Sequence, residues 1–105
     1  VPRKESKIER DACRRALDEQ GVPNIKMIHP GGETGWPDRC FFIPGGKPFL
    51  LEFKEVGYKP DKKQAYIHDM LEGLGYDVAW TDNTEDALAA IRARVASARL
   101  SKARR

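Results

Sequence analysis

The sequence offers little sulfur chemistry. Its two cysteines, Cys13 and Cys40, show no Cys-x-x-Cys spacing, and the two histidines, His29 and His68, do not join them in a zinc-ligand pattern. Both thiols are therefore expected as small buried hydrophobes in a reducing compartment. No apolar run approaches the roughly 20 residues that cross a bilayer, which excludes a helical membrane span. The first residues, Val-Pro-Arg-Lys-Glu, are charged and lack the apolar centre of a secretory signal, so none is expected. The glycine-rich stretch from Pro30 to Trp36 lacks the Gly-Lys-Ser/Thr ending of a P-loop and is not a nucleotide site of that kind. Internal repeats, low-complexity segments and interdomain linkers are missing as well.

What is present is 105 residues, 40% hydrophobic and 33% charged, a composition that fits one folded domain and argues against disorder. A chain this short builds one core and has little room for an enclosed cavity with a lid. The net charge of +3 becomes informative once it is divided along the chain. Residues 92–105 carry six Lys/Arg and no acid, whereas residues 1–91 hold 13 basic against 16 acidic side chains. The expected organisation is a mildly acidic domain over residues 1–98 and a basic C-terminal tail over 99–105. Such a tail suits a polyanionic partner, and the composition fits a solvated helix end equally well.

Periodicity and stop signals predict the elements. A first helix runs from about Ser6 to Gln20, with Ser6-x-x-Glu9 reading as a capping box and Gly21 and Pro23 as the stop. Its apolar stripe is Ile8, Ala12, Cys13, Ala16 and Leu17. Strands are expected at 24–29, 39–43 and 49–54, the last two joined into a hairpin by Pro44-Gly45-Gly46-Lys47-Pro48. A second helix, about 62–74, has Tyr66, Ile67, Met70, Leu71 and Leu74 on its apolar side. A strand over 76–80 follows, then a helix from Asn83 or Thr84 that uses Ala87, Leu88, Ile91 and Val95. The order α-β-β-β-α-β-α, with a hairpin and a helical crossover, implies an α/β fold with a mixed central sheet flanked by helices.

The residues that carry chemistry sit on the hairpin. Glu52 and Lys54 alternate with Leu51 and Phe53 and so share one face of a strand that is otherwise apolar. Asp38 begins the partner strand at the end away from the turn, so the hairpin folds it back beside them. Two carboxylates and an ammonium then converge. Hard divalent cations are held by one or two carboxylates, with water and substrate phosphate completing the shell. Lys54 would orient an attacking water or stabilise developing negative charge. A second reading fits the same residues: a Glu52–Lys54 salt bridge at the sheet edge, with Asp38 capping the turn.

Pro37-Asp38, thirteen residues, then Glu52-x-Lys54 reproduces the PD-(D/E)xK nuclease motif. The flanking segments Gly35-Trp-Pro-Asp-Arg39, the Pro-Gly-Gly turn, Leu51-Glu-Phe-Lys54, Gly57-Tyr-Lys-Pro60, Gln64 and Gly75-Tyr-Asp-Val78 follow in order. From the first helix to about Asp82 the chain resembles the VRR-NUC family, the virus-type replication-repair nucleases, in its minimal single-domain form. That resemblance implies a restriction-endonuclease-like core. It also implies Asp38 and Glu52 as metal ligands with the Phe53 backbone carbonyl, Lys54 as the catalytic lysine, and Glu9 as an acid contributed by the first helix. Gln64 would steady Lys54 or contact the DNA backbone. The alternative for Glu9 is the capping-box partner of Ser6, and for Gln64 a surface helix position. Around the site Lys26, Arg39, Lys59, Lys62 and Lys63 are expected as phosphate contacts. Trp36 is expected to pack under its loop and His29 to be a neutral structural histidine.

The resemblance further implies a Mg²⁺- or Mn²⁺-dependent DNA endonuclease without a small-molecule cofactor. It would act as a homodimer on branched DNA such as a four-way junction, in the bacterial cytoplasm, encoded by a bacterium or a phage. Two symmetric cuts in one junction are most simply made by a two-fold pair of single-site chains. Alternatives are a flap or nicking nuclease of the same fold, a non-catalytic DNA-binding module on this scaffold, and one subunit of a larger helicase–nuclease assembly.

Overall fold

The structure, a computed structural model, describes residues 4–28 and 34–103. The elements are α1 (Glu5–Gln20), β1 (Asn24–Lys26), β2 (Arg39–Ile43), β3 (Lys47–Phe53), α2 (Lys62–Gly73), β4 (Asp77–Thr81) and α3 (Thr84–Ala103). This is the expected α-β-β-β-α-β-α order. The sheet is mixed, with strands in the order β1-β2-β3-β4. The first three are antiparallel neighbours, and β4 lies parallel to β3 after the crossover through α2. Between β2 and β3 the chain reverses at Gly45 and Gly46, whose φ values of 89° and 72° are disfavoured for a side-chain-bearing residue.

Both sheet faces are covered. Phe41, Ile43, Phe49, Leu51 and Phe53 meet Ile8, Ala12 and Ala16 of α1 and Ala87, Leu88, Ile91 and Val95 of α3 in the main core. Phe41, Phe49 and Phe53 lie tilted to one another, with ring centroids 6.3 and 6.5 Å from Phe41. On the opposite face a smaller cluster of Cys40, Leu50, Val78 and Leu71 takes in Trp36 and Ile67. Trp36 thus packs under its loop. Arg94 ties α3 to the sheet: its guanidinium lies 3.8 Å above the buried Phe49 ring and pairs with Asp77.

Several boundaries differ from expectation for identifiable reasons. The α1 N-cap is Lys4, with no side-chain cap, so Ser6 falls inside the first turn and the Ser6–Glu9 box does not form. Glu9 is drawn to cations on β1 and β2 instead. Gly21 does end α1, in a left-handed conformation with φ 66°. β1 is only three residues long, and Ile28 beyond it is 86% exposed. β3 is Lys47–Phe53 and β4 is Asp77–Thr81, each shifted by a residue or two. The basic segment from Arg99 is a continuation of α3 as far as Ala103, because nothing in it breaks a helix and cations suit a helix C-terminus. On α1, Leu17 is exposed; on α2, Tyr66, Met70 and Leu74 are exposed, and Ile67 and Leu71 supply the apolar contacts.

Neither cysteine forms a disulfide. Burial pushes the Cys13 thiol up to about 11, which keeps it protonated at neutral pH. Among the described residues, no helix is long and apolar enough to cross a membrane. His29, Arg104 and Arg105 lie outside the described residues.

Gly35 sits where the loop before β2 passes over α2. A Cβ there would come within 3.1 Å of Lys63 Cγ and 3.3 Å of Ile67 Cγ1, on a backbone with φ +94°. Gly35→Ala is expected to destabilise the protein by about 1–3 kcal/mol in urea titrations. Gly73→Ala, where a Cβ would meet nothing within 4 Å, is expected to be neutral or stabilising.

Candidate active site

The hairpin register builds the site. Arg39 pairs with Leu51, so Asp38 falls opposite Glu52 at the open end of the strands. The Asp38 backbone N–H donates to the Leu51 carbonyl at 3.2 Å, and its own carbonyl accepts from Met27 N–H at 2.9 Å. The Phe53 backbone N–H donates to Asp38 Oδ2 at 2.7 Å. Pro37 just before it is fully buried. These contacts leave the aspartate little freedom.

Glu52 is on the α2 face of β3 and is 2% exposed. Two residues on, Lys54 projects from the same side. Gln64 joins them: its Nε2 donates to Glu52 Oε2 at 3.1 Å, and its Oε1 accepts from Lys54 Nζ at 3.2 Å. The glutamine is itself held by the start of α2, in a reciprocal capping box with Asp61. Helix capping and the orientation of the lysine therefore depend on one side chain.

The acid that α1 adds to this cluster is Glu5. Carboxylate oxygens of Glu5, Asp38 and Glu52 all lie within 4.8 Å of one another. Glu9, one turn along, is buried between Lys26 Nζ at 2.9 Å and Arg39 Nε at 2.6 Å. Lys26 and Arg39 are thus engaged with Glu9, Arg39 partly buried and Lys26 still exposed to solvent. Lys59, Lys62 and Lys63 are exposed just before and within the first turn of α2. The Phe53 ring is in the core while its peptide lies between Glu52 and Lys54.

The electrostatics are unfavourable in a specific way. The Glu52 carboxyl is held above its ordinary value, first by burial and, among the opposing and reinforcing charges, by Asp38. Glu5 is raised for the same two reasons, burial before Asp38. Glu52 Oε1 and His68 Nε2 are buried without a hydrogen-bond partner among the described residues, 3.8 Å apart. Three converging carboxylates and an orphaned buried oxygen are the donor set that a hard divalent cation fits. Sequence reasoning missed Glu5 and His68. The available signals were helical spacings, Glu5 four residues before Glu9 and His68 four after Gln64, which put each pair on one helix face.

A carboxyl with a raised folded-state pKa favours the fold while protonated, and that contribution is lost as pH rises from the unfolded value near 4.5. Stability of the metal-free protein is therefore expected to fall from pH 5 to pH 7.5. Glu52→Gln should flatten this fall and raise stability at pH 7.5 by ~1 kcal/mol, about 4–8 °C in Tm for a domain of this size. Thermal melts in EDTA at the two pH values measure it; a Gln variant less stable at pH 7.5 would contradict the assignment of strain to this carboxylate.

Comparison with known proteins follows the same outline. No protein-family model matches the chain. Over 60 residues it is 37% identical to "Putative nuclease p44" of Acyrthosiphon pisum secondary endosymbiont phage 1, covering 57% of this chain and 63% of that protein. The match thus spans less than two thirds of that relative. Two solved structures superimpose on most of the chain. One, a "VRR_NUC domain", has a TM-score of 0.72 at 24% identity, covering 84% of this chain and 94% of the other. The second, a "VRR_NUC domain protein", has a TM-score of 0.76 at 15% identity, covering 91% of both. The mixed sheet, its flanking helices and the hairpin that carries Asp38 and Glu52 are therefore built on the VRR_NUC fold.

Proposed function

We propose that the chain is a divalent-metal-dependent DNA endonuclease that hydrolyses phosphodiester bonds. The observation that carries this reading is the convergence of Glu5, Asp38 and Glu52 beside a lysine held by Gln64. The nuclease name of the phage relative and the VRR_NUC fold support it. A non-catalytic DNA-binding module would gain nothing from gathering Glu5, Asp38 and Glu52 against their mutual repulsion.

Glu5, Asp38 and Glu52 would hold the cation, Mg²⁺ or Mn²⁺, with the Phe53 carbonyl as a further oxygen. When bound, such an ion neutralises phosphate charge and acidifies water. The protein's own part is positioning. Gln64 keeps the Lys54 ammonium on the Glu52 side of the strand, where it meets the charge that develops on the phosphate or orients the attacking water. A water oxygen forms a new bond to phosphorus, one ester P–O bond breaks, and a phosphomonoester and a hydroxyl result. The exposed Lys59, Lys62 and Lys63 lie beside Gln64 and suit the DNA backbone, as does the basic end of α3.

The substrate we favour is branched DNA, with four-way junctions foremost, cut by a homodimer in recombination or repair. The exposed apolar side chains Tyr66, Met70 and Leu74 of α2, with Tyr76 and Trp80 at the β4 edge, support an interface between two copies. The phage relative supports a setting in the bacterial cytoplasm. Flap or nicking activity is the neighbouring reading, and relative rates on different DNA structures separate the two.

Purified protein with Mg²⁺ is expected to cut a four-way junction faster than duplex, flap or single-stranded DNA. Lys54→Ala should lower cleavage by about 10²–10³-fold and leave junction binding within a few-fold. Unchanged turnover in that variant would overturn the proposal. Replacing Lys59, Lys62 and Lys63 together by Ala should reduce the salt slope of DNA binding by up to about 0.9 for each phosphate no longer neutralised. An unaltered slope would place the DNA elsewhere.

A further inference from the structure

We propose that His68 is a positioning residue that fixes the second oxygen of Glu52 and thereby sets the affinity of the site for its cation, an inference that rests on reading the carboxylate cluster as a metal centre.

Gln64 and His68 are one turn apart on α2 and both face the α2 side of β3. Gln64 Nε2 donates to Glu52 Oε2 at 3.1 Å, and His68 Nε2 stands 3.8 Å from Oε1. Helix α2 thus addresses both oxygens of one carboxylate from two successive turns. The separation of 3.8 Å is longer than a hydrogen bond, and a small side-chain adjustment closes it. Both atoms are buried and partnerless among the described residues, so each lacks what the other supplies. An imidazole carrying its proton on Nε2 donates, and a carboxylate oxygen accepts.

His68 touches the cluster through Glu52 and is not one of the three residues whose ligand atoms all lie within 4.8 Å of one another. It therefore acts through the ligand rather than on the ion. A carboxylate anchored at Oε2 alone can still swing about that contact. Anchoring Oε1 as well fixes the carboxylate plane and decides which lone pairs remain directed at Glu5 and Asp38. Outer partners of this kind govern affinity: their loss commonly weakens metal binding about 10–100-fold. Packing alone does not account for the residue, since α2 has apolar side chains to spare on its exposed side.

The test is Mn²⁺ binding to the full chain, by calorimetry or by electron paramagnetic resonance of free Mn²⁺. The protein is compared with His68→Leu, which keeps the volume, and His68→Gln, whose amide N–H reaches about as far as Nε2. His68→Leu is expected to weaken binding about 10–100-fold, and His68→Gln to stay within about threefold of the parent. In cleavage assays the Leu variant should need more Mn²⁺ for half-maximal rate, with the KM for DNA unchanged. Where the Leu variant does not fold by circular dichroism, His68→Asn, polar but too short to reach Glu52, takes its place with the same expected loss. Parent-like Mn²⁺ binding by the Leu or Asn variant, or a Gln variant as weak as Leu, overturns the inference. Failure of the parent to bind Mn²⁺ removes the metal-centre reading itself, a separate result from a loss confined to the variants.

Discussion

Glu52 is an acid near the end of a buried strand, and an ionised carboxylate there loses its hydration to surroundings that, among the described residues, return one hydrogen bond, from Gln64. Much of the architecture is arranged around that charge. The β2–β3 hairpin brings Asp38 opposite it, which adds repulsion. The start of α1 brings Glu5 near, which adds more. Helix α2 answers with a capping glutamine and a buried histidine. Gathering carboxylates around the buried Glu52 raises the energy of its ionised form at neutral pH, as the upward shifts of Glu52 and Glu5 show. A divalent cation reverses the sign of that term, which is why the strain points to a ligand rather than to a defect.

Helix α1 carries two acids one turn apart, and their contrast shows how local the control is. Glu9 lies over β1 and β2 and finds Lys26 and Arg39 within 2.9 Å. Its charge is neutralised in place by a strand-borne lysine and arginine, a charge-assisted contact that ties α1 to the sheet. Glu5 has no such pair at hydrogen-bond distance among the described residues, and Asp38 is the first charge that acts on it. Arg39 follows Asp38 directly in the chain and points to Glu9. The cation that could have quenched the carboxylate cluster is thus withdrawn from it by the neighbouring glutamate.

The order of elements, the mixed sheet, the hairpin turn and the meeting of Asp38, Glu52, Lys54 and Gln64 were legible in the sequence. Each depends on a local rule: strand alternation, a Pro-Gly-Gly reversal, a motif of known spacing. What was not legible depends on rotation about a helix axis. Glu5 and Glu9 share a face of α1, and spacing does not say which of them looks past the end of the sheet and which lies over it. On α2 the apolar pattern nominated Tyr66, Met70 and Leu74 for the interior. The helix instead turns Ile67, His68 and Leu71 inward and sets Gln64 against Glu52. Hydrophobic periodicity finds a helix reliably and orients it only where the inward face is apolar.

The same strand serves stability and chemistry by pleating alone. Phe49, Leu51 and Phe53 enter the main core, while Leu50, Glu52 and Lys54 face α2. A one-residue slip of β3 would exchange the two sets, placing Glu52 among Phe41, Ile8 and Ile91 and Phe53 in the site. The register is therefore held at both ends: by the glycine turn at Gly45 and Gly46, and by the Phe53 N–H bonded to Asp38 Oδ2. That second bond joins the backbone of the core-facing phenylalanine to a carboxylate of the site. The apolar core that fixes Phe53 thus fixes Asp38 too, so the strain carried by the carboxylates bears on a core strand instead of on a loop that would relax and disperse them.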